Sequence, residues 1–120
     1  IYVKPLLKLA EDCEVKGLVH ITGGGFWENI PRILPDETAV EIDKTTWARP
    51  KVFDLLQDLG NVEEHEMLRT FNCGIGMIAM VPGDQAKAAL ASLKASGETA
   101  ALIGKVTARD GEGEQVTIHG

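Results

Sequence analysis

Leu6, Leu7, Leu9, Ala10 and Cys13 recur at the spacing of one helical face, which predicts a first helix from about Lys4 to Asp12. Pro5 is acceptable there, because in an opening turn its missing N–H has no intrahelical partner to lose. The pattern then changes period. Gly17-Leu18-Val19-His20-Ile21 is short, apolar and partly β-branched between a glycine and a glycine-rich turn, and is predicted as a strand. Beyond the turn, Ile30, Ile33 and Leu34 mark another helical face. Pro31 confines regular helix to a start near Glu28 to Ile30, and Pro35-Asp36 ends it. Thr38 to Asp43 alternates as a strand. Pro50 then opens a helix carrying Val52, Phe53, Leu55, Leu56 and Leu59, stopped by Gly60-Asn61.

The charged segment Glu63 to Thr70 is predicted as a short helix. Ile75 to Val81 is continuously apolar, which predicts a central strand buried on both faces at the middle of the sheet. A further helix runs from Gln85 to Ala95 on Ala88, Ala89, Leu90 and Leu93. Two closing strands, Ala101 to Ala108 and Gln115 to His119, flank the turn Asp110-Gly111-Glu112-Gly113. The order α-β-α-β-α-α-β-α-β-β places the chain in the α/β (α+β) class, a mixed β-sheet flanked by helices. At 120 residues without repeat, linker or low-complexity tract, it is expected to be a single domain over residues 1–120.

Charge and composition narrow the function classes. A net charge of −6 and an aromatic content of 5% leave no basic, aromatic-studded surface for nucleic acid. No apolar run approaches the roughly 18 residues needed to span a bilayer, and the first residues lack the order of a signal peptide, so a cytoplasmic protein without membrane contact is expected. Cys13 and Cys73 are far apart and in no CxxC pair, which argues against a zinc site or a disulfide framework. No metal site is expected. The first residue is Ile1, and the pattern opens in its middle with Ile1-Tyr2-Val3, the expectation being a piece of a longer protein.

Chemistry is most legible at Gly23-Gly24-Gly25, which follows the first predicted strand. Glycines there expose main-chain N–H groups and let a ligand approach closely, an arrangement suited to phosphate. They also serve simply to reverse the chain, and both readings stand. The run is no nucleotide P-loop, since no Gly-Lys-Ser/Thr follows, and it does not fit GxGxxG. Arg32 is placed to assist an anion, and Thr22 either binds phosphate or closes the turn. Asn29 either caps the helix or holds a sugar hydroxyl. His20, at the strand end where open sheets bind ligands, is a candidate base or a structural histidine. Asn72 and Gly74, before the apolar strand, allow close approach of a ligand or merely a tight bend. Phe26 and Trp27 are expected in the core, His65 on a solvated face, and Cys73 as a small hydrophobe rather than a nucleophile.

Two segments carry a resemblance: His20-Ile21-Thr22-Gly23-Gly24-Gly25-Phe26-Trp27-Glu28-Asn29-Ile30-Pro31-Arg32-Ile33-Leu34-Pro35, and Glu66-Met67-Leu68-Arg69-Thr70-Phe71-Asn72-Cys73-Gly74-Ile75-Gly76-Met77. Together they closely resemble the C-terminal domain of the phosphoribosylformylglycinamidine cyclo-ligase (aminoimidazole ribonucleotide synthetase) family. The likeness extends over the chain in order, through Gly60-Asn61-Val62-Glu63 and Gly97-Glu98. Cys73 departs from it, methionine being expected in many relatives.

The resemblance implies a partly ferredoxin-like domain and an ATP-dependent ring closure of formylglycinamidine ribonucleotide in purine biosynthesis, with release of ADP and phosphate. It also implies an N-terminal domain, not included in these residues, that holds most of the ATP and Mg2+ groups and the main homodimer contact. On that basis Thr22, Gly23, Gly24, Gly25, Asn29, Arg32, Asn72 and Gly74 are expected to bind substrate, and His20 to transfer protons. The alternatives are the homologous domain of formylglycinamidine ribonucleotide synthetase, selenophosphate synthetase or thiamine-phosphate kinase, or a structural, dimer-forming module without a ligand.

Overall fold

Alternation along Thr38–Asp43 buries Val40 and Ile42 and turns Glu41 to solvent, the signature of a strand with one face on a core. The computed structural model describes residues 3–109, 111 and 113–120, so Ile1, Tyr2 and two members of the expected turn, Asp110 and Glu112, lie outside the described residues. Its helices are α1 (Val3–Asp12), α2 (Gly25–Asn29), α3 (Lys51–Gly60), α4 (Glu64–Thr70) and α5 (Ala86–Ala95). Its strands are β1 (Gly17–His20), β2 (Thr38–Asp43), β3 (Met77–Met80), β4 (Gly104–Ala108) and β5 (Val116–His119). The order is the predicted one, and the fold is the expected mixture of helices and mixed sheet.

The strands form two sheets. β1 pairs antiparallel with β3, matching His20 with Met77 and Gly17 with Met80. In the other, β2 lies between β4, antiparallel to it, and β5, parallel to it. The two closing strands thus flank β2 instead of pairing with each other. Gly104 permits the close approach of β4, since a Cβ there would overlap the Glu41 carbonyl oxygen across the ladder.

The main core gathers Val19, Ile21, Phe26, Ile30, Met67 and Leu68 with Val40, Ile42 and Val116, so it ties α2 and α4 to both sheets. A smaller cluster of Leu9, Cys13 and Ala89 joins α1 to α5 and receives Ala79 from β3 and Val81 from just beyond it. β3 therefore sends alternate residues to two cores, as its unbroken apolarity predicts. Yet it stands at the edge of its sheet among the described residues and is only half-buried, which corrects the expectation of a central strand.

Two helices also depart from the expectation. Regular helix begins at Gly25, not near Glu28, because Gly24 at φ 95° and Gly25 at φ 62° swing the chain directly from the turn into α2. Pro31 instead falls in a single 3₁₀ turn, Ile30–Arg32, that follows α2. On α3 the apolar positions do not reach the core: Val52, Leu55, Leu56 and Leu59 stay exposed, and Phe53 alone of that set packs inward. Asn61, left-handed at φ 51°, closes that helix as its sequence indicates.

Candidate functional site

β1 delivers His20 to its end as an exposed side chain, and Ile21 anchors the chain beneath it by donating its N–H to the Gly76 carbonyl at 2.9 Å. The glycine turn follows. Gly25 donates its N–H to the Thr22 carbonyl at 3.0 Å, closing a β-turn whose middle residues are Gly23 and Gly24. Neither of those two donates its amide to a protein acceptor among the described residues. They face an open concavity of about 270 Å³ shared with Glu28, Arg69 and Thr70.

The three glycines are there for different reasons. Gly25 is buried, and a Cβ on it would overlap the Leu68 carbonyl oxygen and stand 2.9 Å from that of Arg69, so the close approach of α2 to α4 requires it. Gly24 requires its left-handed backbone, and a Cβ there would stand 2.7 Å from that of Glu28. Around Gly23 nothing lies within 4 Å of a Cβ, and its φ is not positive. Neither steric nor torsional need explains glycine at position 23, which is the residue freest to admit a ligand.

Asn29 holds the turn from inside. Buried at the end of α2, it donates Nδ2 protons to the carbonyls of Gly25 at 2.8 Å and Thr22 at 3.1 Å. Its Oδ1 accepts from the Thr22 hydroxyl at 3.2 Å and from Arg32 at 3.4 Å. Its side chain caps no helix: Gly24 holds the N-cap position of α2, and at the start of the 3₁₀ turn Ile30–Arg32 Asn29 makes no side-chain capping bond. Through Asn29 the exposed Arg32 guanidinium is tethered beside Thr22, so His20, Thr22, Gly23, Gly24 and Arg32 share one end of the β1–β3 pair.

Asn72 and Gly74 sit on the loop before β3 and do not line that concavity. The Asn72 Oδ1 accepts the Gly74 N–H at 2.9 Å, an Asx turn, while Gly74 at φ 102° abuts Pro50. Cys73 between them is fully buried and left-handed at φ 51°, with its carbonyl accepting the Trp47 indole N–H at 3.1 Å. Burial pushes the Cys73 thiol up, against the opposing influence of Arg49, which keeps it from acting as a thiolate.

Three residues of the concavity, Glu28, Arg69 and Thr70, were not singled out from the sequence. Arg69 and Thr70 reach it because Met67 and Leu68 bury one face of α4 and carry the helix end alongside the turn. The spacing of that apolar pair from Arg69 was the available signal. Arg69 also pairs with Glu66 at 3.3 Å. Trp27, expected in the core, is only partly buried and stacks on the exposed His65 ring at 4.3 Å.

Behind α4 lies a structural ion network, in which Arg49 pairs with Glu64 and Asp54, and Lys44 reaches Glu64 at 3.3 Å. Burial opposes ionisation of Glu64, but its hydrogen bonds and attraction to Arg49 and Lys44 prevail and hold its carboxyl below the usual range.

The molecule is thus an α/β domain that leaves the Gly23 and Gly24 amides without protein acceptors among the described residues and holds a guanidinium nearby at the end of a strand. The chain belongs to the AIR synthase related protein, C-terminal domain, family, whose model matches residues 1–117. It is also 57% identical over 119 residues to the phosphoribosylformylglycinamidine cyclo-ligase of Magnetococcus marinus, a match covering 98% of this chain and 34% of that protein. The chain thus spans about a third of the length of the curated relative it matches. No described helix is long and apolar enough to cross a membrane.

Proposed function

We propose that this chain is the C-terminal, substrate-binding portion of a cytoplasmic, homodimeric and ATP-dependent cyclo-ligase that converts formylglycinamidine ribonucleotide to aminoimidazole ribonucleotide in purine biosynthesis. The observation that carries this reading is the 57% identity, over 98% of the chain, to a protein named for that activity. It favours the cyclo-ligase over the related synthetases and kinases.

ATP, when bound, supplies activation of the formyl oxygen as a leaving group. The described residues do not fit ATP and Mg2+ by themselves. The glycines lack a following Gly-Lys-Ser/Thr, and no three His, Cys, Asp or Glu side chains converge among the described residues. Those groups are assigned to the N-terminal domain of the same protein.

The residues of this chain would hold the substrate phosphate. The Gly23 and Gly24 amides, which have no protein acceptor among the described residues, would donate to the anion, with the Thr22 hydroxyl and the Arg32 guanidinium, both tied to Asn29, adding polar and charge-assisted contacts. His20, exposed one residue before the buried Ile21 anchor, would move a proton between the attacking amidine nitrogen and the departing oxygen. A module whose turn binds nothing would account for Gly25, Asn29 and Asn72, whose roles are visibly structural, but not for Gly23.

Gly23→Val tests the cradle, because a Cβ on that residue meets nothing within 4 Å. Calorimetry with ribose 5-phosphate and with formylglycinamidine ribonucleotide is expected to show affinity falling about tenfold or more, the loss of about 1.4 kcal/mol of contact, at unchanged Tm. Equal affinity in the variant and the parent would remove the phosphate-binding role.

A further inference from the structure

The hydrogen bond from Ile21 to Gly76 fixes which way the β3 backbone faces. With the register of the pair, it directs the N–H and C=O groups of Gly76, Ile78 and Met80 toward β1 and those of Met77 and Ala79 away from it. The same reasoning applies to β4. Asp43 donates to the Ile103 carbonyl and Arg109 to that of Glu37, so Lys105 and Thr107 face β2, while Gly104 and Val106 turn their backbone groups outward. None of the outward amides has a partner among the described residues.

Both strands line one cleft. It measures about 540 Å³, and its walls include Leu9 and Leu93 on one side and Ile30 and Ile42 on the other. Unpaired edges of this kind are costly where water is excluded, and they template strand addition.

We propose that this cleft receives an extended, apolar segment of polypeptide from outside these 120 residues. It pairs with β3 along one edge and with β4 along the other, merging the two sheets into one of order β1-β3-segment-β4-β2-β5. The proposal rests on the reading that the chain is one portion of a longer protein, for which the curated relative, two thirds of it outside the match, is the support. Apolar walls on both sides require a segment apolar on both faces, four or five residues long to match β3 and β4. A second copy of the chain is a poorer occupant. A symmetric pair of copies brings two gaps together and offers no spare strand to either.

Backbone hydrogen exchange tests this on the 120-residue chain and on the uninterrupted polypeptide its gene encodes. The amides of Met77, Ala79 and Val106 are expected to exchange at least about 100-fold more slowly in the longer protein, while Ile78, paired to Val19, is protected in both. Ala79→Pro gives a second readout, since it removes an N–H that the β1 ladder does not use. It should lower the Tm of the longer protein by several degrees more than that of the 120-residue chain.

Equal exchange in the two proteins, or equal loss from Ala79→Pro, overturns the proposal. So does a 120-residue chain that sediments as a dimer with Met77 and Val106 already protected, which would make a second copy the occupant. If the gene encodes nothing beyond these residues, the reading of a longer protein fails as well. If it encodes more chain and the edges stay open, only the inserted strand fails.

Discussion

Replacing Gly25 by alanine separates a glycine needed by the fold from one needed by a ligand. Two costs follow from the geometry. The left-handed backbone at φ 62° disfavours any Cβ, by about 1–2 kcal/mol. The new methyl would also overlap the Leu68 carbonyl oxygen and lie 2.8 Å from its carbon. That neighbour is main chain inside α4, so relief requires α2 and α4 to separate and loosen Phe26 and Ile30 against Met67 and Leu68, an overpacking cost of about 1–3 kcal/mol.

Together the loss is about 3 kcal/mol, a large share of the roughly 5–15 kcal/mol that holds a domain of this kind folded. In a thermal melt this corresponds to a Tm lower by about 12 °C, at about 4 °C per kcal/mol. The control is Gly23→Ala, where nothing crowds the new methyl and the change should stay within about 1 kcal/mol of zero. Urea titrations of both variants provide the free energies. If Gly25→Ala proves as mild as Gly23→Ala, the requirement for close helix approach is wrong.

Asn29→Ala should destabilise by about 2 kcal/mol by removing the buried side-chain donor to the Gly25 carbonyl and one of the two donors to that of Thr22, and Asn29→Asp should lower Tm at neutral pH at least as much, as read by urea denaturation. Glu64 has a depressed folded pKa, so its stabilising contribution is complete above the unfolded value of about 4 and is lost as pH falls through the lower folded value. Tm recorded from pH 7 to pH 3 should therefore fall less steeply in Glu64→Gln than in the parent; identical slopes would count against the ion network. Cys73, buried and with its thiol pushed up, should resist alkylation in native protein and react on unfolding, as mass spectrometry after iodoacetamide would show.

What the chain determines locally was legible in its residues. The boundaries of β2, the Asn61 stop of α3, the glycine turn at the end of β1 and the core position of Phe26 each follow from period, φ preference or apolarity within a few residues. What required the tertiary structure was every feature set by a distant partner. The role of Gly25 depends on a carbonyl of Leu68 in α4. Arg69 and Thr70 join the concavity only because α4 docks beside α2.

Pairing order was also invisible locally. β4 and β5 are neighbours in sequence, yet each pairs with β2, since ladder partners are chosen by the packing of whole faces and not by proximity along the chain. For β3 the apolar run indicated correctly that both faces meet a core. Its place at an edge could not be read from that run, because side-chain apolarity reports on faces and is silent about the backbone groups that run along a strand's rim.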